Sequence, residues 1–303
     1  MGKISVNFIG CGKLGKTIAK LLKQNDVANV IGIVNSSITS AREAAHFIGE
    51  SCAFSNIKEL PKADIYFITT RDDLIEETAI NLQTNGLLYK GAIILHCGGS
   101  LSSDELKIVK NSQCYIASIH PIKSFAHPSQ SISTFPGTYC VIEGDEQATT
   151  VLTQLFEKIG GIMLPIKKEN KKIYHAGGII ANNYLVTLHY HATQCYINAG
   201  INETIAKKLV SMLMQDALSN LDESSHEKSL TGPIQRGDTN TVLNHTLSLR
   251  NSSLLKETKD IYLSMGRGTL PLTSHSQIIK EKFFEMLSSS KDDCPTIVKS
   301  IMS

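Results

Sequence analysis

Six residues near the amino terminus, Gly10-Cys11-Gly12-Lys13-Leu14-Gly15, have the types and spacing of a loop that cradles phosphate. They follow the apolar run Ile4 to Ile9 and precede the amphipathic run Lys16 to Leu22. In that strand–turn–helix setting Gly10 permits the tight turn, Gly12 lets backbone approach a pyrophosphate, and Gly15 lets the helix pack closely. The helix start adds free N–H groups and a positive dipole end. A nicotinamide dinucleotide is therefore the expected ligand. About 20 residues further on, where Asp or Glu would bond the ribose 2′-hydroxyl of NAD, the chain has Asn35-Ser36-Ser37, with Arg42 beyond. No carboxylate repels a 2′-phosphate there, and these side chains can donate to one, so NADP is expected over NAD. The serines could equally serve as loop and helix-capping residues. Cys11, beside a helix start, could carry a lowered thiol pKa, or it could simply be a small residue that fits.

A second group has the chemistry of proton exchange. His96 and His120 each end an apolar run, which would place both in the crevice at one edge of a sheet. A histidine near neutral pKa can trade a proton with a hydroxyl or carbonyl while hydride moves. A strand-end histidine can also cap local backbone groups. Further along, His175 and Asn182 are seven residues apart, about 20° on a regular helix, while Asn183 lies about 80° from His175. Arg236 could clamp a carboxylate or phosphate, with Asp238 orienting it; an interhelical ion pair is the plainer alternative. His189, His191 and Cys195 do not make a closed four-ligand zinc set, and no metal is expected.

The elements that must position these groups are legible as alternating patterns. Runs at Ile4 to Ile9, Val30 to Val34, Ile65 to Thr69, Ala92 to His96 and Tyr115 to Ile119 predict strands separated by helices, hence a parallel sheet buried on both faces. Tyr139 to Ile142 and Ile162 to Ile166 extend it. From about Glu169 to Ala199, and again from Glu203 to Asn220, the periodicity is helical. The fold class is α/β: an N-terminal Rossmann-type parallel sheet over residues 1–167, followed by a mostly α-helical domain over 168–303. The lysine-rich stretch Lys167 to Lys172 marks the boundary or is the exposed first turn of a linking helix.

Composition narrows the function classes. The chain has 303 residues, 42% hydrophobic and 19% charged, and 30 basic against 28 acidic side chains leave +2. Nothing there calls for nucleic acid or an anionic membrane. The seven cysteines, Cys294 among them, are odd in number and never spaced C-x-x-C, which argues against a disulfide framework. Without a signal-like or membrane-length apolar stretch, a soluble cytoplasmic protein is expected.

The segments Gly10 to Ser37, Thr69-Thr70-Arg71-Asp72 and His96-Cys97-Gly98-Gly99-Ser100 together resemble the 6-phosphogluconate dehydrogenase-like superfamily. Its members include ketopantoate reductase, pyrroline-carboxylate reductase and prephenate dehydrogenase. His120-Pro121-Ile122-Lys123-Ser124-Phe125, Tyr174-His175, Asn182-Asn183-Tyr184 and Leu230 to Asp238 resemble one family that joins a Rossmann-like domain to a helical C-terminal domain of unknown function. The resemblance implies that Gly10, Cys11, Gly12, Lys13, Leu14, Gly15, Asn35, Ser36, Ser37, Thr70 and Arg71 serve the cofactor. It implies His120, His175 and Asn183 as catalytic residues. His96, Lys123, Asn182, Arg236 and Asp238 would meet a small-molecule substrate. Relatives carry a catalytic lysine on the linking helix where this chain has His175, with Lys171 and Lys172 about one turn earlier. In such relatives long helices pack across a two-fold axis, so Ile179 to Val186 is expected in the core or in a homodimer interface.

An NAD(P)-dependent oxidoreductase acting on a small acid or carbonyl compound is the leading expectation. A dinucleotide-binding sensor that has lost chemistry is the alternative that the missing lysine suggests. A prephenate-type dehydrogenase, suggested by His120-Pro121, is the third.

Overall fold

The computed structural model describes residues 3–50, 52–252 and 255–288; Cys294 and the outer ends of both expected domains lie outside them. Each apolar run read as a strand forms one: β1 Ser5–Ile9, β2 Asn29–Val34, β4 Ile65–Ile68, β5 Ile93–His96, β6 Tyr115–Pro121, β7 Tyr139–Gly144 and β8 Ile162–Pro165. β3, Ala53–Phe54, is too short to show a period and is added by pairing with β2. The eight strands make one sheet in the order β3-β2-β1-β4-β5-β6-β7-β8. The first six positions have the doubly wound order, whose switch point lies between β1 and β4.

The two later runs extend the sheet as expected, but β7 runs antiparallel to β6, while β8 is parallel to β7. The helix in the link, α4 at Pro128–Ser133, rises only about 9 Å at 1.5 Å per residue. That is well short of the roughly 23 Å of a seven-residue strand. The chain is not carried back to the far edge, and β7 starts where β6 ends, with Cys140 opposite Pro121.

Helices α1 Lys13–Gln24, α2 Ile38–Ile48, α3 Ile75–Thr84 and α5 Glu146–Glu157 complete the layers, and α6 Lys171–Gly178 follows β8. Alternation along the strands divides the core in two. Phe8, Phe67 and Leu95 face one way with Ile18 and Leu22 of α1, and Ile9, Ile68 and Ile94 face the other with Ile75 and Leu82 of α3. Phe8 and Phe67 stack with ring centroids 4.5 Å apart.

The chain divides into two compact units, 1–181 and 182–303. The long helical run expected from Glu169 to Ala199 is broken: α6 passes into a π turn, Ile179–Asn183, before α7, Tyr184–Asn198. A π turn has a longer period than 3.6 residues, so the face angles from His175 to Asn182 and Asn183 worked out for a regular helix do not hold. The second unit is helical, with α8 Glu203–Glu223, α9 His226–Ser229, α10 Gly232–Arg236, α11 Thr239–Asn251, α12 Lys256–Thr269 and α13 Gln277–Ser288. Its core gathers Val242, Leu263, Phe283 and Leu287. Ile180, Tyr184 and Val186 are exposed on the single chain and so are not core. No helix among the described residues is long and apolar enough to cross a membrane.

Candidate dinucleotide loop and histidine cluster

The three glycines of the loop differ in what they permit. Gly10 turns at φ +79°, and a Cβ there would stand 2.6 Å from Thr70 Cγ2. A Cβ on Gly15 would lie 2.7 Å from Thr69 Oγ1, so α1 packs hard against the end of β4. Gly12 has open space on its Cβ side, with only the Gly10 carbonyl oxygen at 3.8 Å, and it starts α1 with no side-chain cap and no acidic residue in the first turn. The N–H groups of Lys13, Leu14 and Gly15 belong to that uncapped first turn. At the end of β4 the hydroxyl of Thr70 is buried without a partner. A pyrophosphate fits this cradle: the open Gly12 face, the first-turn donors and the orphaned Thr70 hydroxyl all suit an anionic ligand.

Other residues assigned to the cofactor turn out to brace the loop. Asn35 Oδ1 accepts the Cys11 N–H at 2.6 Å, and Asn35 Nδ2 donates to Ser40 Oγ at 3.0 Å, which ties the end of β2 to the turn. Ser37 caps α2 by accepting the Ser40 N–H. Cys11 is fully buried and burial pushes its thiol up to about 12, so desolvation outweighs the helix dipole that could have activated it. Arg71 forms an exposed ion pair with Asp73 at 2.8 Å, a contact worth little. Ser36 and Arg42 remain exposed at the end of β2 and the start of α2.

Next along the same edge of the sheet, β5, β6 and α6 bring six polar residues together, His96, Ser118, His120, Lys171, Tyr174 and His175. His96 is fully buried and uses both ring nitrogens on backbone: the Gly98 N–H donates to Nδ1 at 3.1 Å, so Nε2 carries the hydrogen and donates to the Ser102 carbonyl at 3.0 Å. His96 therefore pins the 96–102 loop and is removed from the substrate set. That loop is glycine-rich of necessity. A Cβ on Gly99 would fall 2.3 Å from His175 Cδ2 and 3.1 Å from His120 Nε2. Gly99→Ala is expected to displace both rings and to cost about 1–3 kcal/mol, measured by urea unfolding.

His120 Nδ1 lies 2.7 Å from the Tyr174 hydroxyl, and the His120 and His175 rings meet edge-on with centroids 5.8 Å apart. Burial, the Lys171 charge and then His175 hold His120 down to about 4, so its imidazole is neutral at pH 7. Burial pushes the Tyr174 phenol up to about 12. Lys171 is the residue that sequence spacing missed. Its side chain is 1% exposed, and Nζ donates to the Gly98 carbonyl at 2.9 Å and to Ser118 Oγ at 2.5 Å. No carboxylate among the described residues pairs with it within ion-pair distance. Desolvation lowers its pKa, against the fields of Glu143, Cys97 and Asp72. The available signal was the i, i+4 spacing of Lys171 and His175 on one helix face. It was hidden inside a lysine-rich stretch whose neighbour Lys168 does pair with Asp104 at the surface.

The remaining expected substrate residues are placed differently. Lys123 Nζ donates to the Thr134 carbonyl at the end of α4. Asp238 caps α11, taking the Thr241 N–H at 3.0 Å and the Thr241 hydroxyl at 2.6 Å, with the Arg236 charge acting on it from nearby. Arg236, Asn182 and Asn183 belong to the second unit and are exposed. His189 bonds Ser211 on α8, and His191 bonds Thr258 on α12.

Comparison with known proteins speaks to both halves of the chain. Residues 4–90 match the model of an oxidoreductase family with an NAD-binding Rossmann fold. These residues carry an NAD(P)-binding Rossmann fold. Residues 138–269 match a domain of unknown function, DUF2520, the pairing expected from the sequence and consistent with the wider superfamily. Protein TM1727 of Thermotoga maritima is 28% identical over 91% of this chain and 98% of its own, with a TM-score of 0.65. A candidate NADP oxidoreductase of Bacteroides fragilis, BF3122, is 17% identical over 88% and 97% of the two chains, with a TM-score of 0.71. Pyrroline carboxylate reductase of Plasmodium falciparum, solved with NADP bound, is 14% identical over 95% and 100%, with a TM-score of 0.56. The last two share the fold. No curated protein matches in sequence.

Proposed function

We propose that the protein is an NADP-dependent oxidoreductase that moves hydride to or from a small acid or carbonyl compound, working as a cytoplasmic homodimer. The observation that carries this reading is the pairing, along one edge of one sheet, of a phosphate cradle with a buried Lys171–Ser118 and His120–Tyr174 cluster. NADP, when bound, supplies or accepts the hydride. The first turn of α1 and Thr70 hold the pyrophosphate, while Ser36 and Arg42 meet the 2′-phosphate. With His120 Nδ1–H donated to the Tyr174 oxygen, Nε2 is a free base, able to take a proton from a substrate hydroxyl. Once protonated, the same nitrogen returns the proton to the carbonyl oxygen in the reverse direction, as microscopic reversibility requires, with the His175 ring beside it. The BF3122 and Plasmodium comparisons, with NADP in both descriptions, support the cofactor choice. The buried Lys171, whose charge acts on His120, favours this reading over a sensor without chemistry. Free thiols at the six described cysteines suit a reducing compartment, and the exposed apolar side chains of Ile180, Tyr184 and Val186 suit a two-fold interface.

The test is thermal unfolding with NADPH, NADP⁺, NADH and NAD⁺ in turn. A ligand at 100 times its Kd stabilises by about 2.7 kcal/mol. The phosphorylated forms are expected to raise Tm more at equal concentration, and Arg42→Ala to remove most of that difference. Folded, nucleotide-free protein that shifts with none of the four overturns the reading. Sedimentation velocity on the same sample is expected to give a dimer, and a monomer at micromolar concentration would reject the interface.

A further inference from the structure

The helical unit contains a cavity of about 540 Å³, within the roughly 300–1,000 Å³ range of small-molecule sites. Every residue lining it belongs to the second unit. Part of its wall is Leu230 to Ile234, from the sequence segment that the dinucleotide chemistry leaves unused. The rest is mainly apolar, from Leu188 and Ala192 of α7 to Ile261 and Met265 of α12. No Lys, Arg, Asp or Glu lines it, so a charged ligand would lose its hydration without an ion partner.

Four of the polar residues in the lining are held in place as two pairs. His191 Nδ1 bonds the hydroxyl of buried Thr258 at 2.9 Å, and the ring meets Tyr190 edge-on at 5.0 Å, which leaves Nε2 as the ring nitrogen available to a ligand. His245 Nδ1 bonds the Tyr262 hydroxyl at 3.0 Å in the same lining. Whether Nε2 donates or accepts depends on the tautomer, and a hydroxyl group satisfies either case because it does both.

We infer that this cavity is a second small-molecule site, taking a neutral, mainly apolar alcohol or phenol whose hydroxyl bonds His191. The inference does not rest on the dinucleotide reading. It is tested by calorimetric titration of the full chain with 1-naphthol, with 1-naphthoate as the charged comparator. Saturable binding of 1-naphthol is expected, at least tenfold tighter than 1-naphthoate and unchanged by saturating NADPH. Ala192→Trp, which fills the cavity, is expected to weaken binding at least tenfold. His191→Phe keeps the ring shape, so it covers the case in which the tryptophan variant does not fold; a severalfold loss is expected. Absence of saturable binding, equal affinity for 1-naphthoate, displacement by NADPH, or undiminished binding in a folded His191→Phe protein would each overturn the assignment.

Discussion

Lys171→Met is expected to raise the pKa of His120 above about 4 and to cut turnover of any identified substrate roughly 100-fold while the fold is kept. Burial is the larger cause of the His120 depression and survives the substitution, so the pKa should rise only part of the way toward 6.5. The next cause, the Lys171 charge, disappears. Methionine is close to lysine in length and apolar, and removing a buried charge that has no carboxylate partner relieves a desolvation cost. Against this, the Gly98 carbonyl loses its donor, worth about 1–3 kcal/mol if it stays dry. The check is an NMR titration of ring-labelled histidines, which reads the electrostatic coupling without needing a substrate. A His120 that still titrates at about 4 in the variant would show that Lys171 does not act on it through its charge, and would leave Lys171 a purely structural residue.

The second large effect is on stability against pH. His96 and His120 are both held to about 4 in the folded protein, chiefly by burial, against 6.5 for the free side chain. Between these values the unfolded chain binds more protons than the native one, so unfolding free energy falls as pH is lowered. The contribution is fully present above 6.5, is lost progressively down to about 4, and flattens below it. A shift of that size is of order 3 kcal/mol per histidine, and His96, with no exposed surface and both nitrogens committed, should carry most of the loss. Urea unfolding from pH 7.5 to 4 is expected to show this slope. His96→Gln keeps a donor and an acceptor but does not titrate, and is expected to flatten the slope at some cost at pH 7. A wild-type curve that is level from pH 7 to 5 would mean that neither ring is desolvated as described.

The sheet and the phosphate loop were legible because they depend on short-range rules. Glycine at Gly10 is demanded by a positive φ, and the alternation of Phe8 with Ile9, or Phe67 with Ile68, follows from the two-residue period of a strand. The reversal at β7 was not legible, because it turns on how far a six-residue helix can carry the chain between two sheet edges. The same limit governs the side chains. Residue type placed His96, Asn35, Asp238 and Lys123 among the candidate ligands, yet each meets a backbone or capping partner: Asp238 caps its own helix and His96 bonds the loop that follows it, while Asn35 reaches Cys11, 24 positions away. Lys171 is the reverse case. Its neighbours Lys168 and Lys172 are exposed, and a lysine-rich run reads as solvated. The sequence by itself determined the glycine loop and the strand pattern, since propensity and periodicity act over a few residues. The tertiary structure decided which charges are buried and which histidines are free, since desolvation and hydrogen-bond satisfaction depend on residues more than 50 positions apart, as Lys171 and Ser118 are.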